Sequence, residues 1–162
     1  MFQIGDKIVY PMHGAGVIEG IEEKEILGKT QAYYLIQMPN MQMMIPTVKI
    51  NHLGIRPIAD QSTLKDVMNN FAEETNDESL SWKQRYDLNL KKLKTGAIAD
   101  GADVVKDLMR RNRKKTLNTS EKKLFEDARD ILVSELSLAQ GLTEDEVMIA
   151  LEKELKKVTE TS

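Results

Sequence analysis

The hydrophobic period of this 162-residue chain changes once, near residue 60, and that change limits the fold more than any other feature. Before it, apolar residues come in short β-branched or aromatic runs broken by turn formers. Asp6-Lys7-Ile8-Val9-Tyr10 stops at Pro11, and His13-Gly14-Ala15-Gly16 reads as the hairpin turn that follows. Val17-Ile18 and Ile21 continue the pattern, with Gly20 expected at a bulge. Gly28 separates Glu25-Ile26-Leu27 from Ala32-Tyr33-Tyr34-Leu35-Ile36, and Pro39-Asn40 turns the chain into Met41-Gln42-Met43-Met44-Ile45-Pro46. Strands at this spacing predict a small, strongly bent barrel or sheet, with Pro46 at an edge or strand end.

After about residue 62 the period is helical. Thr63-Leu64-Lys65-Asp66 has the capping-box pattern and opens a helix through Phe71; the acidic run 73–78 reads as a loop. Ser81-Trp82-Lys83-Gln84 is a second capping box, with Trp82 as the first helical residue and Gly96 closing the helix. Further helices are expected from Ile98 to Arg113 and from Ser120 to Gln140, with Gly141 at the C′ position. Thr143-Glu144-Asp145-Glu146 caps a fifth, whose apolar face is Val147, Ala150, Leu151, Leu155 and Val158. The expected class is α+β: a β module over residues 1–57, then an all-α domain of about five helices over 58–162. Each part is near the lower size limit for an independent core, which leaves room for a contact between them.

Charge is distributed unevenly. The chain carries a net −3, yet residues 83–94 sum to +4 and 105–123 to +6, against −5 over 60–82 and −6 over 124–162. Two basic segments in an acidic chain suggest one localised positive surface, or simply solvated helix faces. Catalytic chemistry is sparse. With no cysteine and only His13 and His52, thiolate, cysteine–zinc and serine–histidine arrangements have no basis. No Gly-Lys-Ser/Thr follows the glycines at 14 and 16, so a phosphate-cradling loop is not expected there. No enzyme activity, cofactor, metal, small-molecule substrate or membrane association is expected, and a cytoplasmic location follows by default from the lack of cysteines and of a secretory pattern.

The residues Gly5-Asp6-Lys7-Ile8-Val9-Tyr10-Pro11 with His13-Gly14-Ala15-Gly16-Val17-Ile18 resemble the start of CarD-family proteins, and the same module resembles the polymerase-binding domain of the transcription-repair coupling factor. Independently, Ser81 to Tyr86, Asn89 to Leu93, Val104 to Leu108, Arg110-Arg111 and Leu117 to Lys122 are similar to CarD in order and spacing. The resemblance implies a Tudor-like N-terminal module that binds the β subunit of bacterial RNA polymerase. It also implies a helical module that touches the minor groove of promoter DNA at the upstream edge of the melting region. Such a protein stabilises the open complex and is nucleoid-associated through the polymerase. For the polymerase contact the resemblance points to the hairpin around Lys24 to Gly28 and to the strand Met41 to Ile45, with Lys24, Met43, Met44 and Ile45 as candidates, pairing edge to edge. Met44 stands where relatives often carry a basic residue, and the methionines are equally consistent with ordinary packing.

For DNA, the resemblance implies Trp82, flanked by Lys83 and Arg85, and Lys122. Arg110 and Arg111 belong to the densest basic run, which also suits a helix C-terminus. Gln84 and Asp87 occupy positions that are basic in some relatives. Trp82, Tyr86, Leu90 and Leu93 fall on one helical stripe, so spacing alone makes Trp82 the first residue of a buried face. The resemblance makes it an indole pressed against a base step. Two other functions fit the same elements: a helix-turn-helix repressor built on the segments 98–113 and 120–140, and a Tudor-like adaptor without promoter activity.

Overall fold

A computed structural model describes residues 2–71 and 79–160, with side chains as far as Lys156. The loop expected over 73–78 lies outside the described residues. Strands β1 (Lys7–Tyr10), β2 (Gly14–Ile26), β3 (Lys29–Gln37), β4 (Gln42–Pro46) and β5 (Arg56–Pro57) form one antiparallel sheet in the order β4-β3-β2-β1-β5. The α+β reading holds, with a sheet bounded by β4 and β5 at its two edges. The bulge is where Gly20 predicts it: the β2–β3 register shifts between Ile18 and Gly20. The two-residue β5 and the 3-10 turn Thr47–Lys49 carry no periodic signal and were not expected from the pattern.

Alternation puts Ile8, Ile18, Tyr34, Ile36 and Ile45 into a common core with Met38, Ile50 and Ile55. Each such side chain contributes about 1.5–3 kcal/mol on burial. The helices are α1 (Gln61–Phe71), α2 (Trp82–Lys94), α3 (Ile98–Lys114), α4 (Thr119–Gln140) and α5 (Glu144–Glu160). Their core is built from faces at three- and four-residue spacing: Leu64, Val67 and Phe71 on α1; Leu124, Ala128, Leu132 and Leu136 on α4; Val147, Leu151 and Leu155 on α5. Gly141 ends α4 at φ +67°, and Thr143 and Glu146 cap α5 reciprocally at 3.1 and 3.2 Å.

Two local expectations are corrected. Helix α1 begins two residues before Thr63, because the Asp60 carboxylate accepts the Thr63 amide at 2.8 Å and serves as the cap. The turn after β1 lies at residues 11–13, and Gly14-Ala15-Gly16 already belongs to β2. Those small residues allow α4 to lie directly on β1 and β2. The Ala15 amide donates to Ser134 Oγ at 2.9 Å, and a Cβ at Gly14 would come within 3.0 Å of that oxygen. At Gly16 a Cβ would meet Gln37 O and Met38 Sδ at 2.6 Å, so only glycine fits between the strands there.

The contact between sheet and helices is polar as well as tight. Arg56 on β5 donates to both oxygens of Glu135 on α4, at 2.7 and 2.8 Å. Glu135 also accepts the Ala59 amide at 2.8 Å, and Arg56 Nε donates to Gly96 O at 2.9 Å. These bonds hold the sheet in a defined orientation on the helices.

Candidate nucleic-acid interface

Ser81 starts α2 as expected. Its Oγ accepts the Gln84 amide at 3.2 Å, while Gln84 Oε1 accepts the Ser81 amide at 3.0 Å. The stripe that follows rises out of the core from its C-terminal end. Leu93 is buried, Leu90 and Tyr86 pack against the core half-buried, and Trp82 emerges 50% exposed. The buried reading of Trp82 therefore fails at that one position, one turn beyond the edge of the core.

Beneath the indole, Arg85 forms a two-pronged pair with Glu121 in the first turn of α4: Nε to Oε2 at 2.8 Å and Nη2 to Oε1 at 2.7 Å. The glutamate is 2% exposed, and this hydrogen bond raises the Arg85 pKa above its ordinary value. Arg85, the DNA candidate three positions after Trp82, has its guanidinium engaged by Glu121. The pair sets the start of α2 against the start of α4, so exposed Lys122 lies next to a residue bonded one turn from Trp82. Lys83 is exposed beside the indole.

The C-terminal end of α3 completes the surface. Asp107 accepts from Asn89 of α2 at 3.0 Å and from Arg111 at 2.9 Å, which fixes the last turns of α3 beside α2. Between the three helix ends lies a groove of about 330 Å³ lined by Trp82, Arg85, Arg111, Lys114, Lys115 and Glu121, among others. Arg111, Lys114 and Lys115 of the 105–123 segment thus share one groove with the indole, where Glu121 is paired with Arg85 and Arg111 with Asp107. Arg110 is half-buried and does not line it.

The other candidate surface is the β4 edge. Met38 N donates to Met41 O at 2.8 Å at the β3–β4 turn, and antiparallel alternation from that pair turns the main-chain groups of Gln42 and Met44 outward. Met44 is 39% exposed and Met43 half-buried against the core. Ile45, expected as a contact, has its side chain in the core at 4% exposure, so its side chain holds the sheet together. Lys24 is exposed on the β2–β3 hairpin.

The family model described as "CarD-like/TRCF RID domain" matches residues 2–59, and the one described as "CarD, C-terminal domain" matches residues 66–152. The chain is also 54% identical over 149 residues to YdeB of Bacillus subtilis (strain 168), whose name proposes a transcription factor; the match covers 91% of this chain and 97% of that protein. The chain belongs to the CarD family of transcription regulators. The boundary between the two CarD matches falls around Asp60, the residue that caps α1.

Of the DNA candidates, Trp82, Arg85 and Arg111 line one groove, and exposed Lys83 and Lys122 follow Trp82 and Glu121 in the chain. Sequence reasoning missed Glu121, because a lone glutamate in a first helical turn looks like an ordinary dipole partner. It had no means of pairing that residue with an arginine 36 positions earlier. Among the described residues, no helix is long and apolar enough to cross a membrane.

Proposed function

We propose that this CarD-family chain binds the β subunit of a bacterial RNA polymerase through the β4 edge and holds promoter DNA at the upstream edge of the melting region, stabilising the open complex. The observation that carries the DNA half is the exposure of Trp82 in a groove shared with Arg111, Lys114 and Lys115, while Tyr86, Leu90 and Leu93 of the same stripe pack into the helical core. An apolar ring inserted at a base step costs a few kcal/mol of unstacking, a term smallest where the duplex is already opening. Lysines on the flanks hold phosphates and position the strand without reading its sequence.

Affinity for naked DNA is expected to be weak, given a net charge of −3. Tethering through the polymerase raises the local concentration and removes the need for tight intrinsic binding. A factor that prefers the open complex by about 1–3 kcal/mol shifts its population roughly 5–150-fold. The outward main-chain groups at Gln42 and Met44 support strand addition as the mode of polymerase contact.

The test is Trp82→Ala. Unfolding free energy should change by less than about 1 kcal/mol for this half-exposed ring, against about 3–5 kcal/mol for a core aromatic. Open complexes on a bacterial promoter should decay several-fold faster with the variant than with the wild type. A folded variant that preserves wild-type lifetimes would remove the indole from the mechanism.

A further inference from the structure

The β2–β3 hairpin runs on past the rest of the sheet. Pairing with β4 ends at Tyr33–Pro46, whereas β2 and β3 stay paired out to Ile26–Lys29. From Tyr33 to Lys29 the arm therefore extends about 14 Å beyond β4, and residues 21–31 are all exposed.

At its tip sits the two-residue turn Leu27-Gly28, with φ of +54° and +78°. Two successive left-handed residues define a type I′ turn, which favours Asn, Asp or Gly at the first position. Leucine there brings its Cβ against the following carbonyl. Among the described residues nothing offsets this: Leu27 is 99% exposed, and neighbouring Ile26 is 51% exposed. A turn selected only for the stability of the free chain would hold Asn or Gly. Backbone strain combined with full exposure of a large apolar group points to a use outside the free protein.

We infer that Leu27 is a docking residue, inserting its side chain into an apolar pocket of the polymerase β subunit next to the strand that adds to β4. This rests on the polymerase reading of the β4 edge. The arm and β4 belong to one sheet, so a partner strand laid along β4 brings its own surface beneath the arm beyond Pro46. Lys24, opposite Gln31 on the arm, supplies part of a polar rim around the apolar tip. Glu22, Glu23 and Glu25 on the same strand make the arm unsuited to a phosphate backbone.

The test compares the full-length wild type, Leu27→Asn and Leu27→Asp for capture by purified polymerase β subunit, alongside thermal unfolding and sedimentation of each free protein. Ile149→Asn, at a 65% exposed position on α5, serves as the control. Leu27→Asn should weaken capture about tenfold or more, the scale expected for losing one buried Leu side chain. Its unfolding midpoint should be unchanged or raised, since Asn accepts the left-handed conformation. Ile149→Asn should bind as the wild type does. Equal capture by both Leu27 variants would overturn the inference while leaving the edge contact standing. A lowered midpoint would overturn it by giving Leu27 a role in the free chain. Self-association of the wild type that Leu27→Asn abolishes would also overturn it, by making a second copy the occupant. If the β subunit fails to capture even the wild type, the inference falls together with the polymerase reading.

Discussion

Glu121 and Glu135 lie fourteen residues apart on α4, about 21 Å along the axis and nearly on one face. Each is at most 2% exposed, and each grips an arginine by both carboxylate oxygens. Glu135 reaches out of the helical domain to Arg56 and the Ala59 amide, and so fixes the sheet on the helices. Glu121 stays within the domain and fixes the first turn of α2, where Trp82 emerges. Buried pairs of this kind contribute little net stability compared with apolar packing, but removing one partner strands a charge. One helix thus sets two geometries: the orientation of the sheet with its β4 edge at one end, and the seat of the indole at the other.

The largest effect should come from Glu135→Ala, which removes the carboxylate that pairs with the Arg56 charge and accepts the Ala59 amide. A loss of about 3–5 kcal/mol in urea unfolding is expected, with polymerase capture and open-complex stabilisation impaired together. Arg85→Ala should be milder, about 2–3 kcal/mol, because Glu121 lies in the first turn of α4 and keeps a hydrogen bond from Asn118 Nδ2 at 3.4 Å. Its signature is selective: polymerase capture unchanged, open-complex decay faster. If both variants impaired both activities equally, the division of labour along α4 would be wrong.

The smallest effect lies in the segment joining the two regions. Hydrogen bonds from the Thr63 amide and hydroxyl hold the Asp60 carboxyl below the usual carboxylate range. A depressed folded-state pKa contributes stability above the unfolded value, and that contribution is lost as pH falls through the folded value. The small stability difference between wild type and Asp60→Asn at neutral pH should therefore close in the acid range below the ordinary aspartate pKa. A difference that persists or widens in acid would place the effect elsewhere.

Local chemistry was legible in the sequence because it acts over three or four residues. The Ser81–Gln84 and Thr143–Glu146 boxes, Gly141 and the Gly20 bulge all follow from neighbours along the chain. Where two local signals competed, the pattern misled: Thr63 and Asp66 matched a capping box, but Asp60 reached the same amide first. The long-range contacts left no trace. Arg56 and Glu135 are separated by 79 residues, and Arg85 and Glu121 by 36, so neither spacing identifies a pair. Gly14-Ala15-Gly16 has the composition of a turn, and what makes it a thin strand is a helix more than a hundred residues later that packs on it. At Ile45 the spacing alone does not separate edge from core, because a strand offered for pairing still directs alternate side chains inward.

The bond from Ala15 to Ser134 spans 119 residues, and it has a consequence for synthesis on the ribosome. At ~5–20 residues per second, the first strands emerge roughly 6–24 s before their covering helix has been made. During that interval the amide of Ala15 has only water as a partner, and the small-residue face that later receives α4 is open to strangers. Nascent chains of this protein therefore pass through a window in which a chaperone, or a neighbouring nascent copy, can occupy the place reserved for the helix.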